Sequence, residues 1–192
     1  MLNIVIFGAP GSGKGTYSAR LVEIFGIEHI STGDVLRSEI KNGTELGKVA
    51  KSYIDNGQLI PDDLMIGILA NVYDNLPQGS KGVILDGFPR TIAQAEALKQ
   101  MFAERGEKLS TVIDLEVSED ILMMRLLRRA QIEGRADDNE ETIRKRFAVY
   151  HNQTQPLADF FRAEGVLKEF TYTDELGSEG MVQAIANYIK TL

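Results

Sequence analysis

The sequence predicts an α/β fold: a five-stranded parallel sheet with helices on both faces. Short apolar runs rich in β-branched residues alternate along the chain with longer stretches of helical periodicity, which is the pattern of repeated strand–helix–strand units. The first run, Ile4 to Phe7, is apolar at every position until Gly8, as expected of a central strand covered on both faces. A glycine-rich segment follows it directly, at the carboxyl edge where ligands bind in such sheets.

Each further element is predicted from its own run of residues. Similar apolar runs predict strands at 27–30, 82–85, 111–117 and 166–172. Helical periodicity predicts helices at about 14–25, 33–55, 62–75, 91–105, 119–130, 139–164 and 178–191. We expect the second helix to break near Gly43, and the sixth to start at an Asp138 cap paired with Glu141 and to kink at Pro156. No linker or internal repeat divides the chain, so residues 1–192 are expected to form one core domain.

The overall charge argues against several classes of partner. The chain has 192 residues, with 21 Lys and Arg against 28 Asp and Glu, and its net charge is −7. A general nucleic-acid or anionic-membrane binder needs a dominant basic field, so neither partner is expected. Cysteine is absent, which excludes disulfides, thiol catalysis and Cys-bound zinc. The first apolar run has no basic residue before it and is cut short by Gly8, so we expect no signal peptide, no membrane span and a cytoplasmic location.

The segment from Gly8 to Lys14 matches the phosphate-loop (P-loop) pattern G-x-x-x-x-G-K, and it lies between a predicted strand and a predicted helix. In that context successive backbone N–H groups form an anion-binding nest, the helix N-terminus adds a positive dipole, and Lys14 adds a mobile charge. A glycine-rich turn with a surface lysine is the alternative. Gly15 stands where generic P-loop proteins have the hydroxyl that ligates Mg²⁺, and Thr16 carries it instead, which argues against a generic GTPase or motor.

A basic cluster follows in the second half of the chain. Between residues 125 and 146 there are seven Lys and Arg against five Asp and Glu, so this segment carries +2 and the remainder −9. Arg125 and Arg129 are four residues apart and are expected to share a helix face. Either a ligand anion balances these guanidiniums, or they form a salt-bridged pair of helices. The carboxylates at 137–138 are too few to pair with all of them.

Three blocks of the sequence together resemble one known family. They are Gly8–Thr16, Asp86–Thr91 and Gly134–Arg146, and in this order they closely resemble the adenylate kinase family of nucleoside monophosphate kinases, in its short-lid form. The resemblance covers nearly the whole chain and implies the P-loop NTPase fold of that type. It implies Mg²⁺-dependent, reversible transfer of the terminal phosphoryl group of ATP to AMP, giving two ADP. It also implies a monomer, no zinc, and a lid reduced to a loop at about 128–138.

The resemblance assigns side chains to two nucleotide sites. For ATP it implies Gly11, Ser12, Gly13, Lys14, Gly15, Thr16, Arg129 and Gly177. For AMP, bound by a segment at about 31–60 and by a second loop, it implies Thr32, Arg37, Gln58, Leu59, Ile60, Gly87, Phe88, Pro89, Arg90, Gln94, Arg135 and Arg146. The catalytic set is expected to be Lys14, Arg90, Arg125, Arg129, Arg135 and Arg146. Arg125 would stack against or flank the donor adenine, because a guanidinium plane can do both.

Asp86 ends the third predicted strand beside the P-loop, where a carboxylate suits a metal-linked role; an Asp that caps the next turn is the alternative. The preference for adenine depends on Thr32 and Gln94, so a UMP/CMP kinase or another small-acceptor P-loop kinase is the nearest alternative. A nucleotide switch or sensor is the remoter one, because a switch has no use for a second phosphate pocket. His29 and His151 lack metal-ligand neighbours in the sequence and are interpreted as packing or surface residues.

Overall fold

The computed structural model describes all 192 residues and shows a five-stranded parallel sheet. Its strands are β1 (Leu2–Gly8), β2 (Glu28–Ser31), β3 (Gly82–Asp86), β4 (Thr111–Glu116) and β5 (Leu167–Thr171). Their order across the sheet is β2-β3-β1-β4-β5, and every neighbouring pair is parallel. The predicted strand number, strand direction and central position of β1 are therefore confirmed, and each predicted strand overlaps an observed one.

Nine α-helices surround the sheet. They are α1 (Lys14–Phe25), α2 (Thr32–Lys41), α3 (Glu45–Ile54), α4 (Asp62–Asp74), α5 (Ile92–Glu104), α6 (Glu119–Glu133), α7 (Glu140–Val149), α8 (Leu157–Ala163) and α9 (Gly177–Ile189). The predicted break near Gly43 is confirmed, since α2 ends before this residue and α3 begins after it. The Thr44 side chain accepts a hydrogen bond from Gly47 N and thereby caps α3.

The long helix predicted at 139–164 is in fact interrupted. A π-helical turn, Tyr150–Thr154, follows α7 directly. Within it Gln155 N donates to Tyr150 O at 2.7 Å, a bond that skips one more residue than an α-helical bond does. The regular helix is therefore lost before Pro156 is reached, and that proline precedes α8 as its N-cap residue.

Two predicted helix starts need correction. Asp138 does not cap α7, because Asn139 does: its Oδ1 accepts a hydrogen bond from Thr142 N at 2.9 Å. The Asp138 carboxylate is turned inwards and pairs with arginines. The final helix begins at Gly177, which therefore lies at the helix start and not in the loop before it.

The strands alternate their side chains between two apolar faces of the sheet. Val5 and Phe7 belong to the larger core cluster, which includes side chains of α4, α5 and α8. Ile4 and Ile6 point the other way and pack with α1 and α9. Both faces are covered, and the P-loop and Asp86 lie at the carboxyl edge of β1 and β3, the edge at which ligands bind in such sheets. None of the helices is both long enough and apolar enough to cross a membrane.

Candidate active site

The P-loop connects the end of β1 to the first turn of α1. Gly13 is the N-cap residue of α1 with a φ of 100°, and no side chain caps this helix, so its first N–H groups are available to an anion. Gly11 has a φ of 84°, and a Cβ built there would lie 2.9 Å from Leu126 Cγ on α6. A side chain at position 11 would therefore be both strained and obstructed, which is why the loop requires glycine.

Lys14 begins α1, and its ammonium group folds back over the loop. Nζ donates to the carbonyl oxygens of Gly8 at 3.0 Å and Ala9 at 3.2 Å. Burial, together with the charges of nearby arginines such as Arg90, lowers the pKa of Lys14 to about 8, although Asp86 opposes the shift. A bound phosphate would favour the charged lysine, because anionic oxygens would offset this repulsion.

Asp86 occupies the carboxyl end of β3, beside the first turn of α1. A Cβ built on Gly15 would lie 3.7 Å from Asp86 Oδ2, and His29 Nε2 on β2 lies 3.7 Å from the same oxygen. Burial works against ionisation of Asp86, but the His29 imidazole and the Lys14 charge prevail and lower its pKa. Interpreting His29 as a packing or surface residue missed this contact. The parallel register, in which Ser31 lies opposite Asp86, brings the ends of β2 and β3 together.

Asp138 holds two arginines of the basic cluster together. Arg129 donates from Nε and Nη2 to the two Asp138 oxygens, at 2.5 and 2.6 Å. Arg146 Nη1 lies 3.0 Å from Asp138 Oδ1 and 3.0 Å from Asp137 Oδ2. The Asp138 side chain is 0% exposed, so this shared carboxylate is enclosed by its partners. The salt-bridged alternative is therefore correct for these two arginines.

Of two further arginines of the site, one has a carboxylate partner and the other has none. Arg135 pairs with Glu133 at 2.6 Å. Arg90 Nε donates only to the carbonyl oxygen of Gly87, at 2.8 Å, and the guanidinium has no carboxylate partner. Burial and the charge of Arg146 lower the pKa of Arg90 to about 10. An anion between these side chains would offset the repulsion between their positive charges. Salt bridges therefore explain only part of the arginine contacts at the site.

The first of two cavities, the acceptor cavity, lies between α2, the α3–α4 connection and the loop after β3. Of the residues predicted for AMP, those that line it are Thr32, Arg37, Gln58, Leu59, Ile60, Gly87, Pro89, Arg90, Gln94 and Arg146. Phe88 does not line it, because its ring is 1% exposed and belongs to the core. Arg135 lines the neighbouring cavity instead. The apolar wall, which the sequence did not indicate, includes Leu36, Ile54, Met65, Val149 and Tyr150.

The donor cavity opens on the P-loop. Of the residues predicted for ATP, those that line it are Gly11, Gly13, Lys14, Gly15, Thr16 and Arg129. Ser12 is 1% exposed and does not line the cavity, and Gly177 lies outside the wall, which its neighbour Ser178 joins. Arg125 and Arg129 both line this cavity, which confirms that they share one face of α6.

Gln94 is fixed at the acceptor cavity by two hydrogen bonds. Its Oε1 accepts from Arg90 N at 2.8 Å, and its Nε2 donates to Asp62 Oδ1 at 2.7 Å. One lone pair and one N–H remain, so the amide keeps one acceptor and one donor for a base. Thr32 Oγ1 donates to Asp86 O at 3.4 Å. The sequence did not indicate Asp62, because an Asp in the first turn of a helix is common for reasons of the dipole alone.

The two cavities meet at four cationic side chains that line both of them. These side chains are Lys14, Arg37, Arg90 and Arg146. One cavity has a P-loop at its base, and the other combines cationic side chains with an apolar wall. The fold and the site together define a P-loop kinase with separate donor and acceptor sites.

Comparison with known proteins identifies the family. The family profile described as adenylate kinase matches residues 6–166. An adenylate kinase of Bacteroides thetaiotaomicron is 67% identical over 93% of this chain and 92% of its own length. Adenylate kinases of Bacteroides fragilis and Azobacteroides pseudotrichonymphae are 61% and 45% identical over 100% of this chain, and 100% and 97% of their own lengths. This chain therefore belongs to the adenylate kinase family, which confirms the predicted family, fold and enzyme class.

Proposed function

We propose that this protein catalyses the reversible transfer of the terminal phosphoryl group of ATP to AMP, giving two molecules of ADP. The observation that carries the proposal is the junction of the two cavities at Lys14, Arg37, Arg90 and Arg146, where the phosphates of two nucleotides would meet. A switch would need only one nucleotide site, whereas two connected cavities are available here. The relatives named adenylate kinase support the choice of substrates.

The chain needs no nucleophile of its own, because a phosphate oxygen of AMP is already anionic. That oxygen forms the new bond to the terminal phosphorus of ATP as the bond to the bridging oxygen breaks. The P-loop would hold the donor phosphates, while Arg37 and Arg90 would hold the acceptor phosphate. Lys14, Arg129, Arg135 and Arg146 would stabilise the charge that spreads over the transferred group, so catalysis is positioning and electrostatics.

Mg²⁺ would enter this site with ATP. The ion takes oxygen ligands and is commonly held by one or two carboxylates, while phosphates and waters complete its shell. No group of three or more His, Asp or Glu side chains forms a metal cluster. Mg²⁺ needs only one or two protein oxygen ligands here, and two groups can supply them: the Asp86 carboxylate, which His29 and Lys14 keep ionised, and the Thr16 hydroxyl. When bound, the ion neutralises charge on the donor phosphates; no role for zinc is proposed.

We assign recognition of AMP to the segment 31–60 and closure to the short lid at 128–138, within a single domain. Gly134 ends α6 with a φ of 63° and has no atom near the position of a Cβ, so the lid has a glycine at its turning point. Closure would exclude water that could otherwise hydrolyse ATP. We further propose that the protein acts as a cytoplasmic monomer, as is usual in the family.

Formation of ADP from ATP and AMP tests the proposed function. We expect AMP-dependent production of ADP in the presence of Mg²⁺, and far slower turnover with CMP, UMP, GMP or shikimate as the acceptor. Faster turnover with UMP or CMP would instead identify a pyrimidine-nucleotide kinase. Slow ATP hydrolysis without any dependence on AMP would favour the nucleotide switch.

A further inference from the structure

Arg125 differs from most arginines of the donor cavity in having no carboxylate partner. Its Nη1 lies 3.5 Å from the carbonyl oxygens of Gly11 and Ser12, at the limit of a hydrogen bond. Its guanidinium lies instead over the ring of Tyr172, 4.4 Å from the ring centroid. The other cation–aromatic contacts of the protein are longer, at 5.6, 5.8 and 5.9 Å. The principal partner of Arg125 is therefore an aromatic ring.

Tyr172 contacts Arg125 from outside the donor cavity, since Arg125 lines this cavity and Tyr172 does not. The ring is firmly placed: Tyr172 N donates to Glu116 O at 2.8 Å, and the side chain packs against the core beneath α1 and α9. A guanidinium is flat and has two faces that can stack. A ring 4.4 Å from Cζ is close enough to stack on one of these faces, which would leave the other for a planar group in the cavity.

We infer that Tyr172 is a positioning residue for the donor base: it holds the Arg125 guanidinium flat, so that its free face stacks on the base of bound ATP. The inference rests on the proposed function, which assigns ATP to this cavity. An arginine side chain is long and has much rotamer freedom, and ordering it during binding would cost affinity. If the Arg125 guanidinium is already ordered before ATP binds, this loss of affinity is avoided. Tyr172 therefore acts on donor binding and not on the transfer step.

Steady-state kinetics of matched variants test this role. Tyr172→Leu removes the ring and keeps an apolar side chain against the core, and we expect it to raise KM for ATP about threefold to tenfold, the range of a cation–π contact. The values of kcat and of KM for AMP should not change. Tyr172→Phe keeps the ring and should retain the wild-type KM for ATP. Lys168→Met disrupts a cation–π contact with Tyr188 away from the cavity and should change none of these constants.

A double-mutant cycle connects the effect to Arg125. Arg125→Met should also raise KM for ATP, and adding Tyr172→Leu to it should raise KM no further, because the ring acts only through the guanidinium. Additive effects of the two substitutions would overturn the inference, as would an unchanged KM for ATP in Tyr172→Leu. Thermal unfolding is measured for every variant, and if Tyr172→Leu folds poorly, Tyr172→Met, which also replaces the ring by an apolar side chain, takes its place in the cycle.

Calorimetry with inorganic tripolyphosphate separates the base from the phosphates. Tyr172→Leu should weaken the binding of ATP and leave the binding of tripolyphosphate unchanged, because that ligand has no base to stack. Equal losses for the two ligands would overturn the inference, since Tyr172 would then support the P-loop through the contacts of Arg125 with Gly11 and Ser12. A wild-type protein that binds ATP but forms no ADP from ATP and AMP would defeat only the proposed function.

Discussion

Asp114 on β4 is a buried carboxyl group for which the fold provides incomplete hydrogen bonding. Its side chain is on the same sheet face as Val112, the residue is 6% exposed, and Oδ1 has no partner. Burial, with added repulsion from Glu116 and Glu169, raises the pKa of Asp114 to about 7. None of the proposed chemistry uses this group, so its effect is on stability.

Comparison with Asp114→Asn should show that Asp114 lowers the stability of the wild type as the pH rises. Because the pKa of Asp114 is raised in the folded state from 3.8 to about 7, its contribution to stability is complete below about pH 4 and is lost as the pH rises through 7. Relative to Asp114→Asn, the wild-type free energy of unfolding should fall on the order of 2–4 kcal/mol between pH 4 and pH 8. Urea unfolding at several pH values measures this difference. The exposed control Asp174→Asn should follow the wild type, and a parallel profile for Asp114→Asn would contradict the prediction.

At residues 138 and 139 the sequence alone could not decide between two helix caps. Asp and Asn both cap helices well, and both precede the same run of helical residues. In the structure Asp138 pairs with Arg129 and Arg146 inside the fold, so its carboxylate is not available to the helix end. Asn139 therefore caps α7. Which arginine meets which carboxylate is decided by the packing of α6 against α7. Spacing along the chain therefore identified the charged residues but not their pairs.

Among the secondary-structure elements, those with a local cause were predicted well. The five strands follow from continuous apolar runs, and the P-loop follows from glycines between a strand and a helix. The stretch 139–164 was wrongly predicted as one kinked helix because its side-chain periodicity continues through the π-helical turn, Tyr150–Thr154. That turn places Tyr150 and Thr154 on the wall of the acceptor cavity. The π-helical turn is thus associated with the cavity wall that it forms, as π-helical turns often are with functional sites, and not with a helix-breaking residue such as proline.

Two glycine-to-alanine substitutions should show that the P-loop backbone requires glycine at position 11 and that the helix α4 does not require it at position 67. Gly11→Ala should reduce the free energy of unfolding by about 1–3 kcal/mol and weaken ATP binding, because position 11 has a φ of 84° and a Cβ there would lie 2.9 Å from Leu126 Cγ. Gly67→Ala is the matched control: Gly67 is exposed within α4 and has open space around it, so Ala should stabilise the fold by about 0.5–1 kcal/mol. Calorimetric binding and urea unfolding measure both. Equal effects of the two substitutions would show that the loop does not require glycine.

For the molecule as a whole, the charge pattern explains how an acidic protein can bind two polyphosphates. The net charge of −7 is the sum of a segment of +2 and a remainder of −9, and the structure brings Lys14 and Arg90 from elsewhere in the chain to that segment. Most residues predicted for the two nucleotides line one cavity or the other, because the motifs that contain them are contiguous, but the sequence did not indicate most of the apolar wall. Phe88 lies in the core and Arg135 lines the donor cavity, since the division between two adjoining cavities depends on how α6, α7 and the loop after β3 pack together.

The junction of the two cavities predicts how a ligand that spans both should bind. Two adenosines joined by five phosphates would occupy the donor and acceptor cavities at once, so we expect this compound to bind at least about 100-fold more tightly than ATP. Arg90 lines both cavities and has no carboxylate partner, so Arg90→Ala should weaken the joined compound by about 10-fold to 100-fold and ATP much less. Arg144→Ala is the control, because Arg144 is exposed and pairs with Glu140 outside both cavities. If calorimetry gives comparable affinities for the joined compound and ATP, the two cavities do not act as one site.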